Sequence, residues 1–220
     1  MKFSYWLNLL ENNIFQLTPY SLIIGVEHNK PISVAESDLN KIQELSKKGV
    51  YFEGNYPEEV VKNFISKYLP QTHMASWEPP KLLIPEICSV AISLFGVNTN
   101  DIIHKIKHNS KMSIRDNLLA SSREWHGAVK SEVLDKILQL ANLQDLANKP
   151  CSNENFYKLH QTGYQIMFDG WTCNSKNNPL QALQEKANSI RNRYLIQMMN
   201  KGGIFFVGRN HIDCIRSLLH

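Results

Sequence analysis

The stretch Gly203-Ile204-Phe205-Phe206-Val207-Gly208-Arg209-Asn210-His211 decides the fold class. Four consecutive apolar residues, rich in β-branched and aromatic side chains and bounded by glycine, read as a strand with both faces covered. A long helical pattern feeds directly into it. Asn178 can cap that helix, Pro179 fits its first turn, Leu180, Leu183, Ala187, Ile190 and Tyr194 form a stripe, and Gly202 stops it. A buried strand that follows a helix belongs to an α/β sheet.

Working outward, two more runs have the same character: Ser21-Leu22-Ile23-Ile24-Gly25-Val26 and Gly49-Val50-Tyr51-Phe52. Between them, Leu39, Ile42 and Leu45 recur at helical spacing from Asp38 to Lys48, which outlines a β-α-β unit. A second helix is expected from Pro57 to Leu69, with Val60, Val61, Phe64 and Ile65 inward and Pro70 beyond. Residues 71–80 are polar and Pro-rich and read as a loop. Apolar spacing then predicts helices at Glu86–Phe95, Ile114–Trp125, Val129–Leu146 and Asn155–Phe168. The expectation is one α/β domain over residues 1–220, a central mixed sheet flanked by helices, with a mainly helical insertion around 81–177.

Composition narrows the function classes. Of 220 residues, 43% are hydrophobic and 20% charged, so the chain can bury a core and does not read as disordered. The formal charge of +4 shows no basic stripe, so a nucleic-acid partner is not expected. No apolar run reaches the ~20 residues of a membrane-spanning helix, so integral membrane association is not expected either. The first residues lack a signal-peptide cleavage pattern, and the expected location is the cytoplasm, or export without a cleaved signal. Cys88, Cys151, Cys173 and Cys214 have no metal-finger spacing and are expected to be free, buried thiols, with one long-range disulfide as the alternative. No phosphate-binding or dinucleotide-binding glycine motif occurs, and Ser121-Ser122-Arg123 matches no nucleophile elbow. His104 and His108 share an i, i+4 spacing without the glutamate of a zinc helix, and Asp169-Gly170-Trp171 reads as a packed turn.

Chemistry concentrates at the strand ends. Gly25-Val26-Glu27-His28 and Gly208-Arg209-Asn210-His211 repeat a G-x-x-H pattern, each at the carboxyl end of a buried strand. In open α/β sheets ligands bind in the crevice beyond those ends. The second strand ends in Phe52-Glu53-Gly54, at the same level. Two imidazoles and a carboxylate suit Zn²⁺, Mn²⁺ or Co²⁺ with a position left for water. The plain alternative for each histidine is an ordinary hydrogen bond at a strand end. Arg191-Asn192, on the helix entering the last strand, is either part of a solvated basic face or a group that reaches the crevice to hold substrate or developing oxyanion charge.

This combination, Gly25-x-x-His28, Val50-Tyr51-Phe52-Glu53, Arg191-Asn192 and Gly202 through Gly208-x-x-His211, resembles the TraB / TIKI / GumN family, which is related in fold to the erythromycin esterase and ChaN group. The resemblance covers the first ~55 and last ~40 residues. It implies a metal-dependent hydrolase, peptidase-like, with a peptide or protein substrate. His28, Glu53 and His211 would hold the divalent metal, and Arg191 would support substrate or transition state. Asn192, Arg209 and Asn210 are expected at the substrate, and Glu27 either moves protons or neutralises Arg209. Two features depart from the family: Gly54-Asn55 stands where Leu-Asp is common, so a second carboxylate is missing, and Arg209-Asn210 replaces small residues. From those departures comes the alternative expectation, an inactive binding module of the same fold, such as a bacterial effector or toxin-like domain. Haem or iron handling, as in ChaN-like proteins, is a third.

Overall fold

The computed structural model describes residues 8–10, 14–27, 30–54, 57–69, 71–96, 102, 104–106, 109–168, 178–209, 211–212 and 214–215. His28, Asn210, Cys173, His108 and the Asp169-Gly170-Trp171 turn, all singled out above, lie outside them. The fold is α/β, and the chain divides into two compact units, residues 1–80 with 189–220, and residues 81–188.

The first unit is built on a six-stranded sheet of order β1-β2-β3-β6-β4-β5. Its strands are β1 (Asn8–Leu10), β2 (Ile14–Thr18), β3 (Ser21–Val26), β4 (Val50–Phe52), β5 (Met74–Ser76) and β6 (Gly203–Gly208). The run β3-β6-β4-β5 is parallel, and β1 and β2 add antiparallel strands at one edge, so the sheet is mixed. The three strands read from the sequence are thus neighbours, with Val26 level with Gly208.

Strand periodicity sorts the apolar runs between two faces. Leu22, Ile24, Val26, Val50, Phe52, Ile204 and Phe206 face α1 (Glu36–Ser46) and α2 (Glu59–Tyr68), which contribute Ile42, Leu45, Val61, Phe64 and Ile65. Ile23, Phe205 and Val207 point the other way, onto Leu195 and Met199 of the last helix and onto Trp77. The reason follows from chirality: the connection from β3 to β4 and the one arriving at β6 run in opposite directions across the sheet, and right-handed crossovers then occupy opposite faces. β6 enters between the two strands that α1 joins, so the carboxyl ends of β3, β6 and β4 meet where the connections part.

Residues 71–80 correct the sequence reading. They hold β5, whose Met-Ala-Ser carries no apolar alternation to announce it, and then Trp77, which is fully buried. β1 and β2 were likewise not anticipated.

The second unit is helical: α3 (Glu86–Phe95), α4 (Ile114–Ala120), α5 (Ser122–Trp125), α6 (Ser131–Leu140), α7 (Gln144–Ala147), α8 (Asn153–Phe168) and the start of α9 (Pro179–Met199). The expected helix over 114–125 is interrupted at Ser121 and that over 129–146 at Ala141–Leu143. Val90, Leu94, Phe95, Ile114, Leu118, Leu134, Ile137, Phe156 and Leu159 form one core. Gly163 admits Phe95 against α8, since a Cβ there would sit 2.2 Å from the ring. Asn178 Oδ1 accepts the Leu180 N–H, as a helix cap does, and Gly202 leaves the helix with φ +84°.

Candidate functional site

Glu53 follows β4 directly, and the backbone N–H of Gly208, the last residue of β6, donates to its Oε2 at 3.0 Å. This gives the glycine of the second G-x-x-H its physical reason. A Cβ at Gly208 would lie 2.9 Å from Glu53 Oε2, so a larger residue would unseat the carboxylate. Glu53 Oε1 faces His211 Nε2 at 3.2 Å, and Arg191 Nη2 donates to the same oxygen at 2.8 Å.

His211 is buried just beyond β6, and its Nδ1 meets Asn192 Oδ1 at 2.7 Å. With that amide oxygen as acceptor, Nδ1 carries the proton. Nε2 is thereby the ring nitrogen turned toward Glu53 Oε1. The Trp77 ring stands edge-on to the imidazole at 5.8 Å and fixes its plane.

Arg191 reaches the cluster from α9, where Asn192 is its neighbour in sequence. Its Nε donates to Glu78 Oε2 at 2.9 Å, its Nη2 also bonds Glu78 Oε1, and its guanidinium lies 5.6 Å from the centre of the Trp77 ring. Burial alone would push the Glu53 carboxyl up. The His211 hydrogen bond and charge, the Arg191 guanidinium and the Gly208 N–H outweigh it and bring the carboxyl down to about 2. For Arg191, burial works against the charge, and Glu78 and Glu53 reverse that, raising the guanidinium above its ordinary value.

Glu27 and Arg209 form a separate, more exposed pair on the same edge. Glu27 accepts from Arg209 and from Lys30, and both hold its carboxyl below the usual range, Lys30 foremost. The cation beside His211 is therefore turned onto a carboxylate. Of the residues expected at the site, Glu53, Arg191, Asn192 and His211 are brought together, while Glu27 and Arg209 pair with each other.

Sequence reasoning missed Glu78 and Trp77. The family pattern places its second carboxylate next to the strand-end glutamate; here the second carboxylate of the cluster comes from the end of the neighbouring strand. The only signal was a tryptophan in a stretch read as polar loop.

His211 Nε2 and Glu53 Oε1 are spaced as two ligands of one divalent ion would be, at bonds of about 2.0–2.2 Å. The Asn192 contact is of the kind that orients an imidazole when it binds a metal. Among the described residues no group of three or more His, Cys, Asp or Glu is arranged to hold a metal, and His28 lies outside them. The donor chemistry thus fits two ligands of the expected three, with Arg191 sharing one of the oxygens. No protein-family model matches the chain, and neither does any curated protein or solved structure.

Proposed function

We propose that the protein is a metal-dependent hydrolase of peptide or ester bonds, with its centre at the carboxyl ends of β3, β6 and β4. The observation that carries this reading is the oriented imidazole: Asn192 fixes Nδ1 of His211 and so aims Nε2 at the ionised Glu53. The two G-x-x-H motifs and their resemblance to the TraB / TIKI / GumN family support it further.

His211 and Glu53, with His28, would hold the divalent ion. When bound, such an ion supplies a water of lowered pKa and polarises a carbonyl. The residues of the chain do the rest. Arg191 and the Gly208 N–H keep Glu53 ionised and in place. Asn192 holds His211 against rotation, and Glu27, ionised at the rim, takes up the Arg209 charge.

A second reading, a non-catalytic binding module, draws on the closure of Arg191 onto both carboxylates, which spends donors that a substrate would otherwise use. Metal content and metal-induced thermal stabilisation separate the two. The purified protein should carry divalent metal, or gain stability with Mn²⁺, Co²⁺ or Zn²⁺, because a ligand of the native state alone raises apparent stability. His28→Ala and His211→Ala should each lose that gain while still unfolding cooperatively. A wild type with no metal and no shift favours the binding module.

A further inference from the structure

We propose that Glu78 is the positioning residue of this cluster: it holds the Arg191 guanidinium in register against Glu53. Its importance for catalysis rests on the hydrolase reading above, but its placement does not.

Each residue of Ser76-Trp77-Glu78 is anchored. Ser76 Oγ accepts the Glu78 N–H at 3.1 Å, the Trp77 N–H donates to Phe52 O at 3.0 Å, and Trp77 Nε1 donates to Phe206 O at 2.9 Å. Glu78 therefore leaves β5 beside a residue tied to β4 by its backbone and to β6 by its indole. Its two oxygens take Nε and Nη2 of Arg191, the fork geometry that fixes a guanidinium in orientation as well as position. Nη2 is the nitrogen that also reaches Glu53. A long arginine side chain coming from a helix has rotamer freedom to lose, and Glu78 is what removes it.

The charge count gives the clamp a purpose. Arg191 between Glu53 and Glu78 is one positive charge against two negative, so Glu78 offsets the guanidinium and Glu53 keeps its charge toward His211. Without Glu78, Arg191 would neutralise Glu53 and oppose any cation beside it.

The test uses the metal-free full chain and reads the Arg191 Nε–H in ¹H–¹⁵N spectra, assigned by its loss in Arg191→Lys. In the wild type this proton should exchange slowly with water. Glu78→Gln keeps the shape but loses the charge, and should speed exchange by about tenfold, the loss expected when a charge-assisted pair becomes neutral. Glu53→Gln should leave the Nε–H protected. Unchanged protection in Glu78→Gln, or equal loss in Glu53→Gln, overturns the proposal. So does a wild-type proton that exchanges as fast as those of exposed arginines, whatever the variants do. Because no metal or substrate enters, failure of the hydrolase reading leaves this outcome untouched.

Discussion

A single carboxylate shows how the site and the stability of the sheet are linked. Glu53 joins the ends of β4 and β6 through the Gly208 N–H, and joins both to α9 through Arg191. Its carboxyl lies at about 2 rather than the ordinary 4.5, so the folded state binds the proton more weakly than the unfolded one. The sign follows: the stabilisation is complete above about 4.5 and is lost as pH falls through that value toward 2. Urea midpoints of the wild type should drop across this window. Glu53→Gln should start lower at neutral pH, having lost the ion pairs, and decline less steeply below it. Parallel curves for the two proteins would show that Glu53 is not the group responsible.

At the scale of elements, what was legible was whatever is continuous and apolar. β3, β4 and β6 announce themselves because strands buried on both faces leave no polar positions, and Asn178, Pro179 and Gly202 mark α9 by caps that act locally. β5 was not legible, because a three-residue edge strand with Met74 exposed buries too little to leave a pattern. The inward face of α9 was only partly legible. Gln181, Gln184, Asn188 and Asn192 are buried beside Leu180, Ala187, Leu195 and Met199, and polar side chains on a buried face defeat a reading based on apolar spacing. Glu53 and His211 could be placed from strand ends, whereas Glu78 could not, since its strand was unseen. The tryptophan after β5 compensates for that strand's brevity by burying its ring and bonding across to β6. Trp77→Phe should keep most of the apolar contact and lose the Nε1–H bond, at a cost of about 1–3 kcal/mol. Chemical denaturation measures it; a change below a few tenths would mean that β5 is held by its ladder alone.

For the whole molecule, the informative fact is that the chain leaves the sheet after β5 and returns in α9 having built a separate core. The buried residues of that core all belong to the second unit. Phe95, Phe156, Leu94, Leu118, Leu134 and Ile137 are buried together with residues that lie between Lys81 and Asn188, Leu180 at the start of α9 among them. Arg115 ties α4 to α6 through both oxygens of Asp135, at 2.5 and 2.7 Å, and Ser113 caps α4 by accepting the Asp116 N–H. A segment of about 100 residues with one contiguous core is of a size that folds alone. A fragment spanning residues 81–188 should therefore show helical circular dichroism and unfold in a single cooperative urea transition. Gly163→Leu in that fragment should abolish the cooperativity, because the new side chain would occupy the place of the Phe95 ring. A fragment that melts gradually, with helix content that drifts rather than breaks, would mean that the helices depend on the sheet-bearing unit for their order, and that the two halves of α9 cannot be separated without cost to both.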